Sequence, residues 1–275
     1  MISKKQKEKA RIFSDMHKQR KMLILPNAWN VGSAYVFEKQ GFKAVATSSA
    51  GVAHDFGLSD GEHISFSDLL GTVGKITARV DIPLSVDIER GYSENIEEIK
   101  ENARQLLFAG AVGFNIEDGL PNGTLSPLDK QLGKINALAQ LKSELGIDFV
   151  INARTCTYLY NDANNNSLKT AISRCNAFAE AGADCVFIPG ANDEKTISNL
   201  VENINAPINI LLNASTTDFE KLDNLGVRRL STGCYPARYI YNVIIDMVNK
   251  LYSGNVSEMI SHDFSSERAN EYFGE

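Results

Sequence analysis

The chain is missing the marks of several protein classes. It has no apolar run near the ~18 residues that a membrane helix needs. Its first residues carry neither the apolar core nor the cleavage site of a secretory signal. Cysteine is scarce: Cys156, Cys175, Cys185 and Cys234 are spread over 275 residues with no C-x-x-C spacing, too few for a disulfide framework. The four histidines (17, 54, 63 and 262) are dispersed, and none forms H-x-x-x-H or neighbours a cysteine, so zinc has no support. A reduced, cytoplasmic protein without a membrane partner is expected.

Positive charge is also in short supply. Lys and Arg number 28 against 34 Asp and Glu, a net charge of −6, whereas nucleic-acid binding needs a concentrated basic face. The one basic cluster, between Lys4 and Lys21, alternates with Ile12, Phe13 and Met16 and reads as the solvated side of an amphipathic helix. No nucleic-acid partner is expected. Two motifs are missing as well: no G-x-G-x-x-G follows the first apolar run, and "TSSAG" is not G-x-S-x-G.

What is present is a repeat. Strand-like runs at 22–28, 44–49, 84–89, 113–118, 149–154, 185–190, 208–213 and 228–233 are separated by helical patterns, such as 93–111 and 167–183. The second helical pattern follows an Asn-rich turn, with Ser167 as its N-cap. Strands at this spacing pair in parallel through βαβ units, and eight of them fit a (β/α)8 TIM barrel of typical size. No Pro/Gly/Ser-rich linker divides the chain, so residues 1–252 read as one barrel with an N-terminal helix. Residues 253–275 read as a C-terminal tail that packs on a neighbouring subunit or is partly mobile.

In such a barrel the active site lies at the C-terminal strand ends, and here those ends are polar. They include Trp29, Ser48, Ser49, Asp87, Glu89, Glu117, Asp118, Arg154, Asn213 and Ser215. Asp87 and Glu89 are two residues apart and can share a face, and Glu117 from the adjacent strand can meet them. Three carboxylates so placed suit a hard dication, Mg²⁺ or Mn²⁺. The alternative is that Asp87 and Glu117 cap helices, or pair with Arg90 and Arg154. With Asp60 also in a nearby loop, the metal is favoured. No strand ends in a lysine that could form a Schiff base; Lys130 and Lys134 fall on a helix and read as solvated.

This constellation resembles the isocitrate lyase / phosphoenolpyruvate mutase superfamily over about residues 20–250. The resemblance rests on "GFKAVATSSAGVAHDFGLSDGE", "PLSVDIERGY", "AGAVGFNIED", "VINARTC", "ILLNAS" and "LGVRRLSTG", in that order. It implies a (β/α)8 barrel, a homo-oligomer (dimer or tetramer) with exchanged last helices, and Mg²⁺ holding a 2-oxo acid during bond cleavage beside the carbonyl. It also implies that Ser48, Ser49 and Ala50 receive the substrate carboxylate and that Asp60 is the acid of the following loop. Asp87 matches the direct metal ligand, Glu89 stands for a second Asp, and Glu117 completes the group. Arg154 matches the arginine on the substrate oxygens, and Asn213 and Ser215 a polar pair below the substrate. Trp29 either roofs the pocket or packs.

The pattern departs in the gating loop. After "IED" the resembling lyases carry K-[KR]-C-G-H, whose cysteine protonates the product; residues 119–138 here contain neither Cys nor His, and Asn122 is only a loose match to the mutase lid. Pro189 and Gly190 replace a glutamate after strand six, and Cys156 replaces an Asp. The expectation is a Mg²⁺-dependent C–C lyase or decarboxylase acting on a small 2-oxo acid. The alternatives are a phosphonopyruvate-type P–C enzyme and a barrel that binds carboxylates without turnover.

Overall fold

The structure, a computed structural model, describes residues 2–160, 166–261 and 263–274. Its contacts divide the chain into two units, Met1–Tyr235 and Pro236–Glu275. The first unit is a parallel barrel. Its strands are β1 Leu23–Leu25, β2 Asn27–Ala28, β3 Val45–Thr47, β4 Leu84–Asp87, β5 Gly113–Glu117, β6 Val150–Arg154, β7 Cys185–Phe187, β8 Ile208–Leu211 and β9 Arg229–Ser231. The helices of this unit are α1 Lys4–Lys18, α2 Val31–Lys39, α3 Ser49–Asp55, α4 Phe66–Arg79, α5 Ile96–Phe108, α6 Leu128–Leu145, α7 Ser167–Glu180, α8 Glu194–Asn203 and α9 Phe219–Leu225.

Hydrogen bonding runs β1-β9-β8-β7-β6-β5-β4-β3-β2. The two ends of that series belong to one stave of the barrel. Proline has no N–H to donate, and Pro26 splits the apolar run 22–28: β1 pairs with β9, and β2 with β3. The Pro26 carbonyl still accepts from Ala46 N–H at 2.9 Å. Eight staves therefore close the ring, as the sequence pattern implies.

Alternation along the strands sends Val86, Phe114, Ile116, Ile151 and Ala153 outward under the helices, all fully buried. The inward residues are unusually polar. Asn152 Nδ2 donates to Asn115 Oδ1 at 2.7 Å. Arg229 Nη2 reaches the same Asn115 oxygen at 3.4 Å, from the stave opposite β5 and so across the barrel axis. α1 plugs the lower end: Phe13 lies where a Cβ on Gly113 would stand 2.8 Å from its ring, and His17 Nε2 is 3.5 Å from Arg229 Nη1. Burial, then the neighbouring guanidinium, pushes His17 down to about 3, so it remains a neutral acceptor. Two residues further along each strand, the inward columns through Ser85, Asn115 and Asn152 end in Asp87, Glu117 and Arg154.

The N-cap of α7 is Asn166, and Ser167 is its first helical residue. The rest of the Asn-rich turn, 161–165, lies outside the described residues, as does His262. The break between units falls at 235/236, whereas the sequence pattern sets the barrel's end at 252. It lies near the start of α10 (Tyr235–Ser253), which is followed by α11 Ser257–Ile260 and α12 Ser266–Phe273. No described helix is long and apolar enough to cross a membrane.

Candidate active site

At the C-terminal mouth of the barrel lies a cavity of about 470 Å³, whose lining includes Ser49, Asp60, Glu89, Glu117, Arg154 and Tyr160. Strand register builds its floor. Glu117 and Arg154 are direct partners on β5 and β6, and their side chains form an ion pair with Nη1 2.7 Å from Oε2. Asp87, one strand over, is buried; its carboxylate accepts from the backbone N–H of Glu89 at 3.2 Å and from that of Ser49.

Burial and mutual repulsion make full ionisation of these carboxylates costly, although Arg154 is paired with one of them and Arg90 lies nearby. Burial pushes Glu89 up to about 8, reinforced by the charges of Asp87 and Asp60. Glu117 rises to about 7, again mainly from burial, with Arg154 opposing the rise and Asp87 adding to it. Asp87 moves upward for the same first cause. Groups that hold protons this tightly are groups for which a dication would substitute, and an all-oxygen donor set suits Mg²⁺ or Mn²⁺. Among the described residues, however, no three Asp, Glu, His or Cys side chains converge closely enough to enclose an ion unaided. Asp87, Glu89 and Glu117 are neighbours but not a preassembled cage: Glu117 is turned to Arg154, and Glu89 accepts from Glu62 N–H at 3.0 Å.

The turn that presents Glu89 is held chiefly by Glu62, which no sequence pattern singled out. Glu89 (φ 48°), Tyr92 (φ 59°) and Glu62 (φ 61°) are the non-glycine residues with positive φ in the described chain, each conformation costing roughly 1–2 kcal/mol. Gly91, at φ 105°, packs so closely on Ile99 that a Cβ would stand 2.7 Å from it. Glu62 Oε1 accepts from the N–H groups of Arg90 and Tyr92, both at 3.0 Å, while its Oε2 pairs with Arg90 Nη2 at 2.6 Å. Lys134 corrects the solvated reading: it is buried and donates to the Arg90 carbonyl at 2.9 Å, and burial lowers its pKa. Arg90 is itself only partly exposed.

The other expected residues separate into two groups. Ser48 caps α3, its hydroxyl accepting from Gly51 N–H at 3.3 Å, and Ser49 and Ala50 form that helix's first turn, with Ser49 on the cavity wall. Asp60 is exposed on the loop above. Trp29, Asn213 and Ser215, like Ser48, Ala50 and the buried Asp87, are not among the cavity-lining residues. Trp29 is half-buried beside α2. The Asn213 amide is engaged in its own turn, donating to Leu211 O and Asn192 Oδ1 and accepting from Ser215 N–H, and Ser215 is exposed.

Asp118, the residue after Glu117, is fully buried and acts as a clamp. It accepts from Arg174 Nε at 2.7 Å and from Cys156 N–H at 2.8 Å, and Arg174 continues to the Ser126 carbonyl at 2.8 Å. Both ends of the 119–125 loop are thereby tied to the barrel. Cys156 is buried, and burial pushes its thiol up to about 12, which suits packing better than nucleophilic work.

A closed parallel barrel with buried carboxylates and an arginine at its C-terminal mouth defines an enzyme-type site for a small anionic molecule. The chain belongs to the phosphoenolpyruvate phosphomutase family, whose model matches residues 13–252. An uncharacterised protein of Mycobacterium tuberculosis is 36% identical over 225 residues, 82% of each chain. The 2-methylisocitrate lyase of Halalkalibacterium halodurans is 30% identical, covering 79% of this chain and 71% of its own. A solved structure of a candidate lyase/mutase from Burkholderia cenocepacia superposes with a TM-score of 0.92 at 27% identity, covering 99% of this chain and 98% of that one. Relatives with an assigned activity include 2-methylisocitrate lyases, and the chain is an enzyme of this lyase and mutase superfamily.

Proposed function

We propose that this enzyme is a Mg²⁺-dependent lyase that cleaves the C–C bond beside the carbonyl of a small 2-oxo acid, an oxaloacetate-like decarboxylation or a related cleavage. The observation that carries the reading is the mouth itself: Arg154 paired with Glu117 at 2.7 Å, with Asp87 and Glu89 on the neighbouring strand end. Asp87, Glu89 and Glu117 would hold the ion. When bound, Mg²⁺ (or Mn²⁺) supplies Lewis-acid stabilisation to an oxygen on which negative charge develops.

The protein's own groups supply the rest. Arg154 offers a planar fork of donors to a carboxylate or enolate oxygen, which the point charge of a lysine would not reproduce. Glu117 fixes that fork in place. Ser49, on the first turn of α3, and Asp60, on the loop above it, flank the entrance. The tied 119–125 loop walls the cavity with Leu120, Pro121 and Gly123, none of which can donate a side-chain proton. A reaction whose product takes its proton from Tyr160 or from solvent therefore fits better than one that depends on a lid acid. Tyr160 lines the cavity and keeps its proton at neutral pH, burial pushing it up to about 12.

The test is a panel of 2-oxo and 2-hydroxy di- and tricarboxylates and phosphonopyruvate, offered to purified protein with Mg²⁺. Turnover of a 2-oxo acid, abolished both by EDTA and by Asp87→Ala, supports the reading. Turnover of phosphonopyruvate alone would move the assignment to P–C cleavage. Ligand-induced thermal stabilisation with no turnover on the whole panel would reject it.

A further inference from the structure

We infer that Glu62 is a positioning residue for the metal site: it clamps the left-handed turn that aims Glu89 into the cavity. The inference rests on the proposed metal reading and assigns a role to a residue outside the expected ligand set.

Every backbone N–H of residues 89–92 has a partner, and Glu62 takes two of the four. The carbonyls of Glu89, Arg90 and Gly91 accept from Glu117 N–H, Lys134 Nζ and Asn102 Nδ2. Among the N–H groups, Glu89 donates to Asp87 Oδ1 and Gly91 to the Ile88 carbonyl. The two that remain, on Arg90 and Tyr92, both end on Glu62 Oε1. Without that oxygen, two partly buried donors lose their partner in a turn that already contains two non-glycine residues at positive φ.

The contact is reciprocal. As the Glu62 carboxylate holds the turn, the Glu62 N–H donates to Glu89 Oε1 at 3.0 Å and so orients the carboxylate that the turn presents. Glu62 is two residues beyond Asp60, so the same clamp ties the Asp60 loop to the end of β4. Such an outer partner matters because a ligand fixed before the ion arrives loses less freedom on binding; removing one typically costs 10–100-fold in metal affinity.

The structure also supplies a clean perturbation. Glu62 has φ 61°, a conformation that glycine adopts more readily, so Glu62→Gly removes the side chain while easing the backbone. Glu62→Gln keeps an oxygen for the two N–H groups and turns an amide NH2, in place of a carboxylate oxygen, towards Arg90. The assay is Mn²⁺ binding to the EDTA-stripped full chain, with free Mn²⁺ followed by electron paramagnetic resonance. Glu62→Gly should weaken Mn²⁺ binding about 10- to 100-fold, with unchanged circular dichroism, and Glu62→Gln should recover most of that loss. If Glu62→Gly binds Mn²⁺ as the wild type does, the positioning role is wrong and the metal reading stands. If the wild type itself binds no Mn²⁺, both fall.

Discussion

The crowded carboxylates should give the metal-free protein an inverted pH response. In the unfolded chain Glu89 and Glu117 ionise near the ordinary 4.5, whereas the fold raises them to about 8 and about 7. Between pH 5 and 8 these two groups hold more protons in the native than in the unfolded state, which lowers stability as pH rises; His17, kept neutral by burial, opposes this below pH 6.5. At 1.36 kcal/mol per pH unit, either group alone is worth roughly 3–5 kcal/mol. Their charges repel, so a proton on one eases the other and the two contributions do not add. Roughly 3–5 kcal/mol for the pair is therefore the working figure. Over pH 5.5 to 8.5 His17 offsets roughly 1.4 kcal/mol, which leaves a net of roughly 2–3 kcal/mol. At about 2–4 °C per kcal/mol for a domain of this size, a fall of roughly 5–10 °C is expected. The assay is thermal unfolding of EDTA-treated protein across that range, with the Glu89→Gln/Glu117→Gln double variant as the control, since it should flatten the slope. Saturating Mg²⁺ should stabilise more at pH 8.5 than at pH 5.5, where protons compete with it. A melting temperature that is flat or rising with pH, or a slope that survives in the double variant, would refute the reasoning.

Three further outcomes are expected. Arg154→Lys should lower kcat by about 10²–10³-fold, the usual loss of a transition-state donor, with Mn²⁺ affinity retained; steady-state kinetics on whichever panel substrate turns over will check it. Arg174→Met leaves the fully buried Asp118 without its cation and should cost roughly 3–5 kcal/mol, read from urea unfolding. The long helix of the second unit carries Ile240, Ile244, Val248 and Leu251 at helical spacing, each left substantially exposed. We expect these residues to meet a second copy of the chain, so Ile244→Glu with Val248→Glu should reduce the mass seen by light scattering to that of the monomer.

The staves were legible because each is a short apolar run with turn residues on both sides. Polar residues at their ends marked Asp87, Glu117 and Arg154 for the same reason: a purely structural strand would continue with Val or Ile there. The split at Pro26 was not read, although the cause is local, since a proline in mid-stave removes one ladder donor. Asn213 and Ser215 stand at a strand end as expected, but the amide of Asn213 is engaged within its own turn. The clamps were invisible for a different reason. Glu62 meets Arg90 across 28 positions, Lys134 meets the Arg90 carbonyl across 44, and Arg174 meets Asp118 across 56. Each pairing exists only once the barrel has closed, and a lysine or arginine on a helix otherwise looks like solvated surface. Lys134 was misread on that ground.

The most direct test is crystallographic. Crystals of the full-length protein soaked with Mn²⁺ and oxalate, measured at a wavelength where manganese scatters anomalously, should show one strong peak beside Asp87, Glu89 and Glu117, with oxalate against Arg154. An ordered mouth with oxalate bound but no anomalous peak among those acids would contradict the account.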